Sequence, residues 1–345
     1  MRARGLKILA WNLNRGKNAA GEDMSAETLK WLGSAGGLAF DVLCLQLAPS
    51  ELAQQIAAAR GLGCAFHATE GEGRDRVGMA VISGLRQDVV AVQVPEGRLA
   101  QAARIEIHEA HVEPPETQLF HTVEAFEEEC DPNMPYLGRR RPAYLLNVHL
   151  DNTSEAVRLK QWQHLEAGPL PPGLALSVAE KETLEARNAR YDIVCGDLNA
   201  LRRADYPTEA WKELNAFVKA KGWEERSGQV HAAVTERGYS DAAIGPTTSG
   251  GLVGKPESRE PETTFRLADA HELRLDYVFL STSENCPFTY TGDGTDYDAT
   301  AIWRSRRSTV FPLATSNHKP LSVECVLELD FDPCDHLSPG SHLSL

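Results

Sequence analysis

Ile193-Val194-Cys195-Gly196-Asp197-Leu198-Asn199 is an apolar run that ends on a carboxylate and an amide. Residues two apart on an extended segment point the same way, so Asp197 and Asn199 share a side. Placed side by side, they can orient a water and hold a phosphate oxygen. The same stretch also reads as a strand end turned by an Asn in left-handed geometry. Four further stretches put polar groups at the end of apolar strand-like runs and favour the functional reading. They are Ile8-Leu9-Ala10-Trp11-Asn12-Leu13-Asn14, Leu145-Leu146-Asn147-Val148-His149-Leu150-Asp151, Leu273-Arg274-Leu275-Asp276-Tyr277-Val278 and Ser316-Asn317-His318-Lys319-Pro320.

Around these stretches, strands alternate with helices. Leu6 to Leu13 predicts the first strand, and residues 24–36 carry helical spacing with Met24, Leu29, Trp31 and Leu32 available to a core. Phe40 to Leu47 predicts a buried strand ended by Pro49, with Ser50 capping a helix over Glu51 to Arg60. Gly78 to Ser83 and Val89 to Val94 read as a hairpin pair. Gly97 to Arg141 is the least regular part, holding a Pro-Pro pair, the acidic run Glu127 to Glu129 and Arg139-Arg140-Arg141, and reads as strand excursions around one long exposed loop. A strand over Tyr144 to Leu150 leads to a helix from Ser154 to Leu165, capped by Thr153 or Ser154. A Pro-rich linker, a charged helix over Glu180 to Ala189, a strand over Tyr191 to Gly196 and a helix over Thr208 to Lys221 follow. Segment 224–271 reads as loop, then strands over Leu275 to Ser281 and Leu321 to Leu329 close the pattern. Such alternation points to an α/β sandwich.

Composition narrows the function classes. A chain of 345 residues with 42% hydrophobic and 24% charged residues is that of a soluble globular protein. A net charge of −14 argues against a broad electrostatic footprint for nucleic acid, though not against a small phosphate pocket. Seven scattered cysteines without a CxxC pair suggest neither a zinc site nor a disulfide framework. Met1 to Lys7 is basic and runs straight into a strand, so no secretion signal or membrane span is expected, and residence is expected to be cytoplasmic or nuclear. Asn152-Thr153-Ser154 matches a glycosylation acceptor, but without a secretory signal it is not expected to be used.

In their order, the five motifs resemble the endonuclease/exonuclease/phosphatase (DNase I-like) superfamily. The resemblance spans residues 6–329 as one domain and leaves 330–345 as a disordered tail. It implies a four-layer α/β/β/α sandwich, two packed mixed sheets flanked by helices, with the motifs at one edge. It also implies a phosphoesterase, either a phosphodiesterase or nuclease, or a phosphatase. By resemblance Asp197 is the water-activating base and Asn199 a phosphate or metal contact. His318 contacts the scissile phosphate while paired with Asp276, and His149 and Asn12 stand on the phosphate side. The residues themselves support the pair, because a carboxylate inside an apolar run is costly unless bonded, and an imidazole partner removes the cost. Arg274 or a backbone amide would also serve. A lone His on an apolar strand is more often a core residue, and only the surrounding motifs make His149 a candidate.

The chain departs from that pattern where the family holds its metal. The acidic ligand after Gln46 is replaced by Leu47, and the usual Ser-Asp-His reads Ser316-Asn317-His318. Asp197, Gln46 and Asn317 remain as donors for a weakened Mg²⁺ or Mn²⁺ site, since hard cations want charged oxygens. Glu51 stands four residues beyond Leu47, and the helix start is expected to carry it away. Arg304, Arg306 and Arg307, with Trp303, are the candidate substrate-side basic patch, Arg suiting phosphate and Trp a stacked base. The expected partner is a phosphate-ester substrate, nucleic acid or nucleotide among the candidates, with no obligate protein partner. The alternative is a catalytically impaired member that binds a phosphate-bearing ligand or a protein.

Overall fold

The computed structural model describes residues 6–34, 37–108, 140–244, 263–266, 272–282, 288–292, 295–311 and 316–331. In chain order the first elements are β1 (Leu6–Asn12), α1 (Ser25–Gly33), β2 (Val42–Pro49), α2 (Ser50–Arg60), β3 (Gly63–Glu70), β4 (Val77–Ser83), β5 (Gln87–Gln93) and β6 (Leu99–His108). Then come β7 (Arg140–His149), α3 (Glu155–Ala167), α4 (Val178–Ala186), β8 (Ile193–Asp197), α5 (Thr208–Ala220), α6 (Gln229–Glu236) and β9 (Tyr239–Asp241). The last are β10 (Phe265–Arg266), β11 (Glu272–Leu273), β12 (Asp276–Ser281), β13 (Phe288–Gly292), β14 (Thr295–Val310) and β15 (Leu321–Phe331).

Two mixed sheets result. One has seven strands in the order β13-β14-β15-β1-β2-β4-β3, the other six in the order β5-β6-β7-β8-β12-β9. Each has one parallel pair near its middle, β1 with β2 and β7 with β8. Period-two alternation decides which side chains meet between the sheets. Leu6, Ile8, Ala10, Val42 and Cys44 from one sheet pack with Leu145, Ile193, Cys195, Val278 and Leu280 from the other. The intervening residues face outward. Leu9, Trp11, Leu43 and Leu45 pack under α1 and α2, and Leu146, Val148, Val194, Tyr277 and Phe279 pack with residues of α3, α4 and α6. The architecture is the four-layer α/β/β/α sandwich.

Local patterning found the strands better than their partners. β4 and β5 are not a hairpin: β4 pairs with β2 and β3, while β5 pairs with β6 in the other sheet. The link between them crosses the sandwich, with Leu85 against the inter-sheet core and its amide bonded to Ser83 Oγ at 3.0 Å. Ser50 is not a cap; it is the buried first residue of α2, and no side chain bonds that helix's first amides. Ser154 does cap α3, accepting from Val157 N at 3.2 Å. β3, β14 and α6 form where no regular element was expected. The acidic run Glu127 to Glu129, Arg139, and residues 332–345 of the tail lie outside the described residues. No helix among the described residues is long and apolar enough to cross a membrane.

Candidate active site

The inner-face rows change from apolar to polar at one edge of the sandwich. On β1, Ile8 and Ala10 are followed by Asn12; on β2, Val42 and Cys44 by Gln46; on β7, Ala143 and Leu145 by Asn147 and His149. On β8, Ile193 and Cys195 lead to Asp197, and on antiparallel β12 the row starts at Asp276. Register puts Asp276 and His149 on either side of Asp197, and Asn12 beside Gln46. Four of the five motifs therefore meet because their side chains continue core-facing rows past the end of the core, and the fifth brings His318 in on the loop before β15.

Asp197 is 1% exposed and sits at the centre. Its Oδ2 accepts from Asn12 Nδ2 at 2.8 Å, and its Oδ1 accepts from the backbone N of Asn199 at 2.8 Å. His149 Nε2 and His318 Nε2 approach the same Oδ2, at 3.8 and 3.7 Å. Gly196 brings the chain there with a φ of +124°, and a Cβ at this position would collide with the Val148 carbonyl and lie 3.0 Å from Gln46 Nε2. Asn199 is left-handed (φ +50°) and its Nδ2 donates to Leu150 O at 3.1 Å. Asn199 thus has the left-handed geometry of a strand-end turn and also lines the cleft.

The Asp276–His318 pair is present. His318 Nδ1 lies 2.8 Å from Asp276 Oδ2, and the backbone N of Asp276 donates to Thr264 Oγ1 at 3.0 Å. Arg274 is not the partner; it bonds Asp241 instead, at 2.5 Å. The loop carrying His318 is tied down by Trp11 Nε1 donating to His318 O at 2.8 Å, and by Ser316 Oγ donating to Asn12 O at 2.9 Å. Burial opposes a charge on His318, but the Asp276 and Asp197 carboxylates outweigh it and raise its pKa. His149 goes the other way. Burial pushes it down to about 4 against the pull of Asp197, with Arg98 also lowering it. One imidazole is set up to be cationic and the other neutral, both facing one carboxylate.

A second polar layer lies behind the site. Gln46 Nε2 donates to Asn147 Oδ1 at 2.7 Å, Asn147 Nδ2 to Gln101 Oε1 at 3.0 Å, and Gln101 Nε2 lies 2.8 Å from His67 Nδ1. This belt bridges the two sheets.

The cleft in front of Asp197 has two parts. A cavity of about 170 Å³ is lined by Asn12, His149, Asp197, Asn199, Asn317 and His318, with Trp223, Arg226 and Phe265 on its wall. A more polar recess of about 380 Å³ adjoins it, lined by Arg15, Glu70, Glu96 and Arg98, and the two share Asn14, Leu47, His149 and Asn152. No sequence pattern marks Arg98, Trp223, Arg226 or Phe265, which reach the cleft from loops and the short β10. Asn152 was visible only as part of a glycosylation pattern.

The arginine group proposed from sequence is not brought here. Arg307 is exposed and opposes Glu324, which in turn opposes Lys7, at the far end of β1 from Asn12. Arg304 precedes it on β14, still farther along, and the side chains of Arg304 and Arg306 lie outside the described residues. Trp303 is buried in the inter-sheet core rather than offered to a base. Glu51 is exposed on α2.

The metal the motifs imply can be tested against the donors. Asp197, Asp276 and His318 are the one group of metal-capable side chains among the described residues, their ligand atoms all within 4.8 Å of one another. Asp276 Oδ2 is already bonded to His318, and both oxygens of Asp197 already accept hydrogen bonds. Gln46 belongs to the belt behind and does not line the cleft. Asn317 lines it with a neutral amide. Leu47, at a β-bulge with a φ of +45°, turns hydrocarbon into the place where a carboxylate would stand. Hard divalent cations take six or more oxygens, several of them charged. These residues do not fit one.

No protein-family model and no curated protein matches the chain. Among solved structures it is similar to a functionally unknown conserved protein from Enterococcus faecalis, at 15% identity and a TM-score of 0.48, over 95% of this chain and 100% of that one. It is similar to an endonuclease/exonuclease/phosphatase family protein from Bacteroides thetaiotaomicron, at 13% identity and a TM-score of 0.44, over 96% and 100% of the two chains. A third is the inositol polyphosphate 5-phosphatase domain of SPsynaptojanin in complex with inositol (1,4)-bisphosphate and calcium ion, at 11% identity and a TM-score of 0.43, over 95% and 86%.

Proposed function

We propose that this chain is a phosphoesterase-type hydrolase of the endonuclease/exonuclease/phosphatase superfamily, acting on a small phosphate ester or nucleotide. The observation that carries the reading is the convergence of His318 Nε2, His149 Nε2 and Asn12 Nδ2 on one buried oxygen of Asp197, with Asp276 holding His318 from behind. A water beside Asp197 would lose its proton to the carboxylate as it attacks phosphorus, while the ester P–O bond breaks and the alcohol oxygen leaves, taking a proton from solvent. Charge developing on the phosphate oxygens would meet the His318 imidazolium and the N–H donors of Asn12, Asn199 and His149. The Asp276 carboxylate keeps His318 Nδ1 protonated and its Nε2 aimed at the cleft.

A second reading is favoured by Leu47: the pocket binds a phosphate-bearing ligand and turns nothing over. Hydrolysis of bis-p-nitrophenyl phosphate and p-nitrophenyl phosphate separates the two. The hydrolase reading expects turnover by wild type and none by Asp197→Ala. Inert wild type that still protects its cleft against phosphate-bearing competitors would leave the binding reading in its place.

A further inference from the structure

Resting on that reading of the cleft as a phosphate site, we propose that Arg226, with Arg98 beside it, supplies the positive charge that a divalent cation would otherwise bring, so that the site binds phosphate without metal. Arg226 is only 6% exposed, yet its guanidinium bonds two backbone carbonyls and nothing charged: Nη1 donates to Asn199 O at 3.3 Å and Nη2 to Asn152 O at 2.8 Å. Among the described residues no carboxylate forms an ion pair with it. A buried cation with carboxylates near it but none bonded to it is costly, and an arriving phosphate oxygen offers its free N–H groups a charged partner.

The position is built rather than incidental. Asn215 on α5 clamps the Arg226 backbone in both directions, donating to Arg226 O at 3.1 Å and accepting from Arg226 N at 2.7 Å. The guanidinium carbon lies 5.9 Å from the centre of the Trp223 ring. Arg226 lines the same cavity as Asp197, Asn199 and His318. Burial, with Arg158 nearby, pushes its pKa down to about 10 against the pull of the Glu155, Asp151 and Asp197 carboxylates. Asn152 couples it to the second arginine, because Asn152 Oδ1 accepts from Arg98 Nη2 at 3.2 Å while Asn152 O accepts from Arg226. Arg98 Nη1 in turn stands 3.4 Å from His149 Nδ1. Two guanidiniums therefore stand in the cleft, Arg226 in the cavity with Asp197 and Arg98 in the adjoining recess, and such planar donors suit phosphate oxygens.

The test is titration calorimetry of inorganic phosphate in EDTA, then with Mg²⁺ and Mn²⁺, on wild type, Arg226→Gln, Arg226→Lys, Arg98→Gln and Asp197→Asn. Wild type should bind in EDTA, and Arg226→Gln should weaken binding at least about tenfold, the loss of one charge-assisted hydrogen bond. Arg226→Lys should recover part of the affinity, and Asp197→Asn should bind more tightly because it removes the repelling carboxylate. Arg98→Gln, altered at a half-exposed side chain, should weaken binding too and carries the test if Arg226→Gln fails to fold. Phosphate binding that needs Mg²⁺ or Mn²⁺, or that is equal in wild type and both arginine-to-glutamine variants, overturns the inference and leaves the phosphate site standing. No phosphate binding under any condition removes both.

Discussion

Replacing Asp276 by Asn keeps the shape of the side chain under His318 and deletes its charge. The pair is buried, 2.8 Å apart, and the carboxylate is the leading cause of the raised His318 pKa, acting against burial. A hydrogen bond to a charged group contributes about 1.5–3 kcal/mol, so removing the Asp276 charge should lower the His318 pKa. The sign follows from linkage. A His raised above its ordinary value of 6.5 gives stability that is fully present below that value and lost as pH rises through the folded pKa. Asp276→Asn should therefore be less stable than wild type near about pH 5.5, with the gap closing towards about pH 9. Turnover at neutral pH should drop by roughly ten- to a hundredfold as the imidazolium fraction falls. Imidazole NMR titration of His318, run with melts at the two pH values, reads both effects. An unchanged His318 titration would refute the claim that Asp276 sets its charge.

Gly196→Ala should cost at least about 2 kcal/mol in urea unfolding, since φ +124° is closed to L side chains and the added carbon meets the Val148 carbonyl. Wild-type stability in that variant would mean that the β8 end can relax around the methyl. Leu47→Glu combined with Asn317→Asp should gain Mn²⁺ affinity in calorimetry by restoring two charged oxygens to the cleft rim; no gain over wild type would show that side-chain identity at these positions is not what excludes the cation. His149, neutral because burial holds it near 4, gives stability that is present above 6.5 and lost as pH falls towards about 4. His149→Asn should flatten that part of the melting-temperature profile, and an unaltered slope would place the acid sensitivity elsewhere.

Much of the site was legible because polar residues interrupt strands that are otherwise apolar. Asn12, His149, Asp197 and Asp276 each sit at the end of such a run, and all four come within one cluster. His318 was legible from its own short motif, Ser316-Asn317-His318-Lys319-Pro320, and as the companion of Asp276. The basic groups were misplaced for an equally physical reason. Arg307 belongs to a 16-residue strand whose register carries it away from the site, and charge along a sequence says nothing about register. Arg226 and Arg98 lie on loops, where no periodicity marks direction, and only the clamp of Asn215 and the reach of Asn152 turn them inward.

By itself the sequence determined the layered sandwich and the polar ends of its central strands, because alternation is a local property that each strand carries within a few residues. Through the resemblance of its motifs it also implied that Leu47 and Asn317 stand where the family carries charged oxygens. Tertiary structure alone decided that β4 and β5 part company into different sheets, that Gln46 is committed to a belt behind the site, and that a buried arginine with no ion-paired carboxylate lines the cavity with Asp197. Those outcomes depend on which distant segments become neighbours. That choice is made by packing summed over the whole chain, and no single stretch of it contains the answer.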